Sequence, residues 1–273
     1  MKHFSVGLQL YSVRGDMEKN FYGTLKKVKE IGYDSVEFAG LFGHTAAEIA
    51  EMCGDLGLDP VSAHVPFVEM MADPEKTMQT YAAIGCRYIV IPYLTPEYRP
   101  NGEKFGEVIE GAKLLGEAAG KAGLTLLYHN HDFEFQKIDG KFALDLLYET
   151  VPATLLQTEI DTCWAKVGGV DPSDYVRSYS GRAPVVHLKD FCGKAGGKMY
   201  ALIGIEDSEG AGASEFQFRP VGYGVQDLPA LLRAAEDAGS GILIVEQDEP
   251  SMGKTPLECA EMSFGKIKES LNK

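Results

Sequence analysis

The chain has 273 residues, of which 45% are hydrophobic and 24% charged, ordinary proportions for one globular domain. With 26 basic against 40 acidic residues its formal charge is −14, which argues against a nucleic-acid partner, since that affinity comes mainly from Lys and Arg neutralising phosphates. No apolar run approaches the ~20 residues that span a bilayer, and the five cysteines are scattered with no CxxC pair, which suits a reducing cytoplasm better than a disulfide framework.

Residues 4–10 read as a first strand that starts too early to leave room for a signal peptide. Phe21, Leu25, Val28 and Ile31 follow at helical spacing, then Gly32, then an apolar run at 34–38. The same unit of helix, Gly and strand recurs down the chain. Gly57 precedes 58–64, Gly85 precedes 87–92, Gly123 precedes 124–129, and Gly239 precedes 242–246. A Gly just past a helix takes the left-handed conformation that other residues avoid, so each of these five reads as a C-cap. Thr45, Asp73-Pro74, Asp171-Pro172 and Thr255-Pro256 mark helix starts, and Leu228, Leu231, Leu232 and Ala235 share a helical face. Runs at 155–161 and 184–189 bring the count to eight strands. Strands that alternate with helices pair in parallel, and near-continuous apolar runs are covered on both faces. No glycine-rich fingerprint follows the first strand, so the expected fold is α/β, a single (β/α)8 TIM barrel over residues 1–273, rather than an open doubly wound sheet. Its length is close to the roughly 250 residues of such a barrel.

One connection breaks the rhythm. Residues 190–226, after the seventh strand, are rich in Gly, and a loop of that length is usually functional. It reads as a lid over the substrate, with Arg219 touching substrate or another subunit. A passive insertion is the plainer alternative.

In a barrel the active site forms at the C-terminal ends of the strands, and polar residues collect there. His64 ends strand three, His129 and His131 end strand five, and His187 lies near the end of strand seven. Glu37, Asp161 and Glu246 end strands two, six and eight, and Glu134 follows His131 by three residues. Singly, each is more often a satisfied structural residue. Together they surround one mouth. Imidazole and carboxylate donors without clustered thiolates describe a site for Mn, Mg, Co or Zn. Such an ion stabilises the negative charge of an enediolate, and a carboxylate close by moves the proton. Strand alternation gives Glu159 the facing of Asp161, and Lys189 that of His187. Glu159 and Lys189 are therefore candidates to bind substrate hydroxyls or to orient the ligands. Trp164 is a stacking platform for a sugar ring or a core residue, and His64 a substrate contact or a structural hydrogen bond. Cys163 reads as a small buried hydrophobe.

Several segments carry a family resemblance: Gly7-Leu8-Gln9-Leu10-Tyr11-Ser12-Val13-Arg14, Gly32-Tyr33-Asp34-Ser35-Val36-Glu37 and Tyr128-His129-Asn130-His131-Asp132-Phe133-Glu134. Glu159-Ile160-Asp161-Thr162-Cys163-Trp164, His187-Leu188-Lys189-Asp190 and Ile244-Val245-Glu246 continue it. Nearly along its full length the sequence resembles the sugar phosphate isomerase/epimerase superfamily with the xylose isomerase-like barrel. That group includes inosose dehydratases, ketose 3-epimerases and the distant endonuclease IV. The resemblance implies one divalent ion held by Asp161, His187 and Glu246, with Glu134 as the preferred fourth ligand and His129 as the alternative. Glu134, Glu246 and His131 are expected to carry the proton transfer. The implied substrate is a small sugar, keto-sugar or polyol, isomerised or epimerised by proton abstraction next to a carbonyl. Dehydration is the nearest alternative, and a homo-oligomer is compatible with the sequence. A DNA-repair nuclease is opposed by the charge and the short histidine list, and a non-catalytic sugar-binding barrel by the retained ligands.

Overall fold

The computed structural model describes residues 4–194 and 215–272. Eight parallel strands close into a barrel: β1 Ser5–Gln9, β2 Ser35–Ala39, β3 Asp59–His64, β4 Tyr88–Ile91, β5 Thr125–His129, β6 Gln157–Asp161, β7 Val185–Leu188 and β8 Ile242–Val245. Each pairs with its sequence neighbours, and β8 pairs with β1 to complete the ring. Every strand ends within two residues of its expected end.

The five expected C-cap glycines all have positive φ, from +60° at Gly57 to +117° at Gly32. Thr45 and Thr255 each form a reciprocal capping box with the Glu three residues on, so the backbone donors of those first turns are satisfied locally. Phe21, Leu25 and Val28 are buried, as are Leu228, Leu231, Leu232 and Ala235. These helical faces cover the outer side of the strands.

Inside the barrel, Val61, Val90, Leu127, Val185, Ile242 and Ile244 form a buried apolar plug. Because side chains alternate along a strand, the residues two positions further on also face inward. Leu127 is thus followed by His129, Val185 by His187 and Ile244 by Glu246, and the plug becomes the floor of a polar mouth.

The segment expected to be a lid is only partly described, since residues 195–214 lie outside the described residues. Its two ends pair as an antiparallel ribbon, Asp190–Cys192 with Gln217–Arg219. Phe191, Phe216 and Phe218 of this ribbon pack on Cys163 and Trp164. The Asp190 carboxylate ties down the returning chain by accepting from the backbone N–H groups of Gly222, Gly224 and Gln226 at 3.0–3.1 Å. Among the described residues, no helix is long and apolar enough to cross a membrane.

Candidate metal and substrate site

Adjacent strands place the mouth residues side by side. His129 is in register with Glu159, and Asp161 with His187. The result is two connected sets of polar groups. The first is a hydrogen-bonded network. Glu37 accepts from Gln9 Nε2 at 2.8 Å and from Ser62 Oγ at 2.5 Å, and its Oε1 lies 2.8 Å from His187 Nε2. His64 Nε2 lies 2.7 Å from Glu159 Oε1 and 3.0 Å from Glu37 Oε1. His129 Nδ1 lies 3.3 Å from the same Glu159 oxygen.

The second set is open. His129, Asp161, His187 and Glu246 present ligand atoms that all lie within 4.8 Å of one another. Here the outer nitrogens of the same two imidazoles are used, His129 Nε2 at 3.8 Å from Asp161 Oδ2 and His187 Nδ1 at 3.4 Å from Glu246 Oε2. Asp161 Oδ2 and His187 Nδ1 are buried without a hydrogen-bond partner among the described residues. Buried polar atoms are rarely left so. Two orphaned donor atoms, with a further imidazole and a further carboxylate converging on them, fit a hard or borderline divalent cation. Glu159 backs both imidazoles from the other side, the carboxylate–histidine–metal arrangement that fixes ring orientation. A second grouping, His64, His129, Glu159 and His187, is equally compact. Glu159 Oε2 there also has no hydrogen-bond partner among the described residues, but the imidazole nitrogens already face the shared Glu159 Oε1.

The charges follow the same division. Burial alone would raise the Glu159 carboxyl, yet His64 and His187 hold it down at about 2. Glu37 is lowered below the usual carboxylate range by the same two rings against its own burial. In return these acids overcome the desolvation of His64 and push it up to about 10, and they raise His187 as well. Asp161, by contrast, is raised to about 7 by burial, with Lys189 opposing and Glu246 adding to the rise. His129 and His131 are held neutral by burial, with the cations of His187 and Lys189 respectively adding to the effect.

Glu134, the preferred fourth ligand from sequence, does not join the cluster. It sits in the one-turn helix Phe133–Phe135, so its direction is set by that turn and not by the pleat of β5. Both carboxylate oxygens are engaged elsewhere, one accepting from the Tyr128 hydroxyl at 2.6 Å and the other from the His131 N–H at 2.8 Å. The alternative, His129, is a member of the compact set. Burial raises the Glu134 carboxyl to about 8, well above the ~4.3 of an unfolded chain. The folded protein therefore binds this proton more tightly than the unfolded one. That stabilisation is complete below about pH 4 and is lost as pH rises toward 8. The metal-free protein should lose up to about 1.4 kcal/mol per pH unit from this group across that window. Glu134→Gln should remove that component, and denaturant titrations at pH 5 and pH 8 that give the same pH slope for both proteins would refute it.

The mouth opens into a cavity of about 520 Å³ lined by His64, His129, His131, Lys189, Glu246 and Asp248 on one side. Lys189 Nζ bridges Asp248 Oδ2 at 2.6 Å and Glu246 Oε2 at 3.0 Å. Glu159 is fully buried behind this lining and does not reach the cavity. Trp164 is also fully buried. It stacks under His131 at 5.3 Å between ring centres, with the Lys189 ammonium 5.3 Å from its ring. It is a floor under those two residues and offers no open face to a sugar. Arg219 donates to Phe218 O and Gln217 Oε1 of its own ribbon and is not among the residues that line the cavity. Sequence reasoning missed Asp248, although the alternation Glu246-Gln247-Asp248 places it on the inward face. It also missed Tyr11, Phe67, Tyr93 and Tyr98, whose side chains resemble ordinary core residues in the sequence.

A closed parallel barrel with imidazoles and carboxylates at its C-terminal mouth defines a TIM-barrel protein with its polar groups where such barrels place their active sites. The model of the xylose isomerase-like TIM barrel matches residues 25–263, and the chain belongs to that family. Over 182 residues it is 26% identical to an inosose dehydratase of Clostridium perfringens (strain 13 / Type A), covering 66% of this chain and 60% of that protein. A sugar phosphate isomerase/epimerase from Parabacteroides distasonis ATCC 8503 superposes with a TM-score of 0.75 at 22% identity, over 97% of this chain and 93% of that one. The IolI protein, solved with a bound zinc atom, does so with a TM-score of 0.74 at 17% identity, over 98% of each chain.

Proposed function

We propose that the protein is a divalent-metal-dependent isomerase or epimerase of a small sugar, keto-sugar or polyol, acting by proton abstraction next to a carbonyl. The observation that carries this reading is the open set of His129, Asp161, His187 and Glu246, with two orphaned ligand atoms, at the edge of a cavity. A bound ion would supply polarisation of a carbonyl and its neighbouring hydroxyl. The chain's own groups do the rest. His131, neutral and in the cavity wall, takes and returns the proton, and Glu246 on the same wall is the carboxylate placed to share that task. The Lys189 ammonium, fixed between Glu246 and Asp248, donates to a substrate oxygen as it gains charge.

The match to an inosose dehydratase favours a second reading, loss of water β to the carbonyl, which begins with the same abstraction. Turnover of ketoses, 3-keto-sugars and inososes with added Mn separates the two by product: an isomeric sugar or an unsaturated one. The site itself is tested by metal content after dialysis. His129→Ala should lose the ion, whereas Glu134→Ala should retain about one ion per chain. Loss only in the Glu134 variant would restore the ligand set preferred from sequence and refute this one.

A further inference from the structure

The cavity has a second wall of opposite character. The ends of β5, β7 and β8 supply most of its ionic side, whereas the connections after β3 and β4 supply mainly Phe67, Val68, Tyr93, Leu94 and Tyr98, with Glu69 and Thr95 as their polar members. Val68 is 51% exposed at the edge of this wall. The Phe67 and Tyr98 rings meet edge to face at 5.4 Å, so two separate connections combine into one aromatic surface. Tyr93 is held in place from behind, with the Arg99 guanidinium over its ring and bonded to its hydroxyl, and its ring meets His131 at 5.1 Å. The apolar wall is thus continuous with the polar one.

A free sugar can lay a C–H face on one aromatic ring, but hydroxyls ring its rim. Those turned toward this wall would give up water for few partners, and a buried unpaired hydroxyl is costly. An aromatic or alkyl group gains there, since apolar area leaves water and aromatic rings pack edge to face. Ligand sites typically combine such apolar lining with a few convergent polar groups. We infer that the substrate is a keto-sugar glycoside, with a ring carbonyl beside the proton that is abstracted and an aryl or comparable aglycone, whose sugar ring faces His131, Lys189 and Glu246 while the aglycone lies on Phe67, Val68 and Tyr98. This inference rests on the sugar-site reading above and extends it to substrate class.

The test compares phenyl 3-keto-β-D-glucopyranoside with methyl 3-keto-β-D-glucopyranoside, binding each to the Mn-loaded protein by calorimetry. The phenyl compound should bind about tenfold tighter or better, as expected for burying a ring. Val68→Asp, at an exposed position that leaves the core intact, and Tyr98→Ala should each bring the ratio of the two affinities toward one. Equal affinity for the two glycosides in the unaltered protein, or an undiminished ratio in both variants, overturns the subsite while leaving the sugar site standing. Binding of neither glycoside to protein that holds its metal overturns both.

Discussion

Asp161→Asn is expected to remove the bound divalent ion and to lower kcat/KM by about 10³-fold, with little loss of fold. The magnitude follows from the several kcal/mol of charge stabilisation that a catalytic ion supplies, at about 1.4 kcal/mol per tenfold in rate. The two oxygens of Asp161 have separable jobs. Oδ1 accepts from the Trp164 N–H at 2.8 Å and caps the helix Thr162–Val167, and an amide oxygen does that equally well. Oδ2 faces the open set with no hydrogen-bond partner among the described residues, and only there does the charge matter. Burial already raises this carboxyl to about 7 in the metal-free protein, so its ionised form is disfavoured until a cation arrives. The Asn variant should therefore melt no lower than the parent protein in chelator, yet gain nothing from added Mn. The parent protein should gain about 4 kcal/mol with the ion at a thousand times its Kd. Asp161→Ala adds the loss of the cap, worth about 1 kcal/mol, and so distinguishes the two roles. Full metal occupancy in the Asn variant would eliminate the site.

Much of this arrangement was readable in the sequence because two simple periods generate it. The Gly after each helix located the strands, and alternation along β6 and β7 gave Glu159 the facing of Asp161 and Lys189 that of His187, as the structure has them. Reading stops where the chain leaves the strand. Glu134 follows β5 in a one-turn helix, and nothing in the spacing from His131 tells that the Tyr128 hydroxyl will engage its carboxylate. Trp164 lies in the first turn after β6, where a platform and a floor look alike until Phe216 and Phe218 are seen to cover it. The apolar wall is the hardest case. Phe67 and Tyr98 come from separate connections, and their hydrophobicity is equally consistent with core packing.

Lys189→Met should destabilise the metal-free protein by about 3–5 kcal/mol, the usual cost of breaking a buried ion pair from one side. The ammonium is 2% exposed and lies between Asp248 and Glu246 at 2.6 and 3.0 Å. Taking that cation out of water is unfavourable, but the two carboxylates, with Asp161, more than offset it and hold the lysine charged. Methionine fits a similar volume and leaves two buried acids facing each other. They respond by taking up a proton, which limits the penalty, and a divalent ion on Glu246 would compensate one of them but not Asp248. Added Mn should thus recover part of the loss. The double variant Lys189→Met/Asp248→Asn should recover more than additivity allows, with a coupling of about 1–3 kcal/mol for groups in one network. Urea unfolding in chelator supplies all four corners of that cycle. If Lys189→Met costs less than about 1 kcal/mol, or if the two substitutions simply add, the lysine is not the cation that keeps these acids together, and its assigned place as the donor to substrate oxygen loses its structural basis.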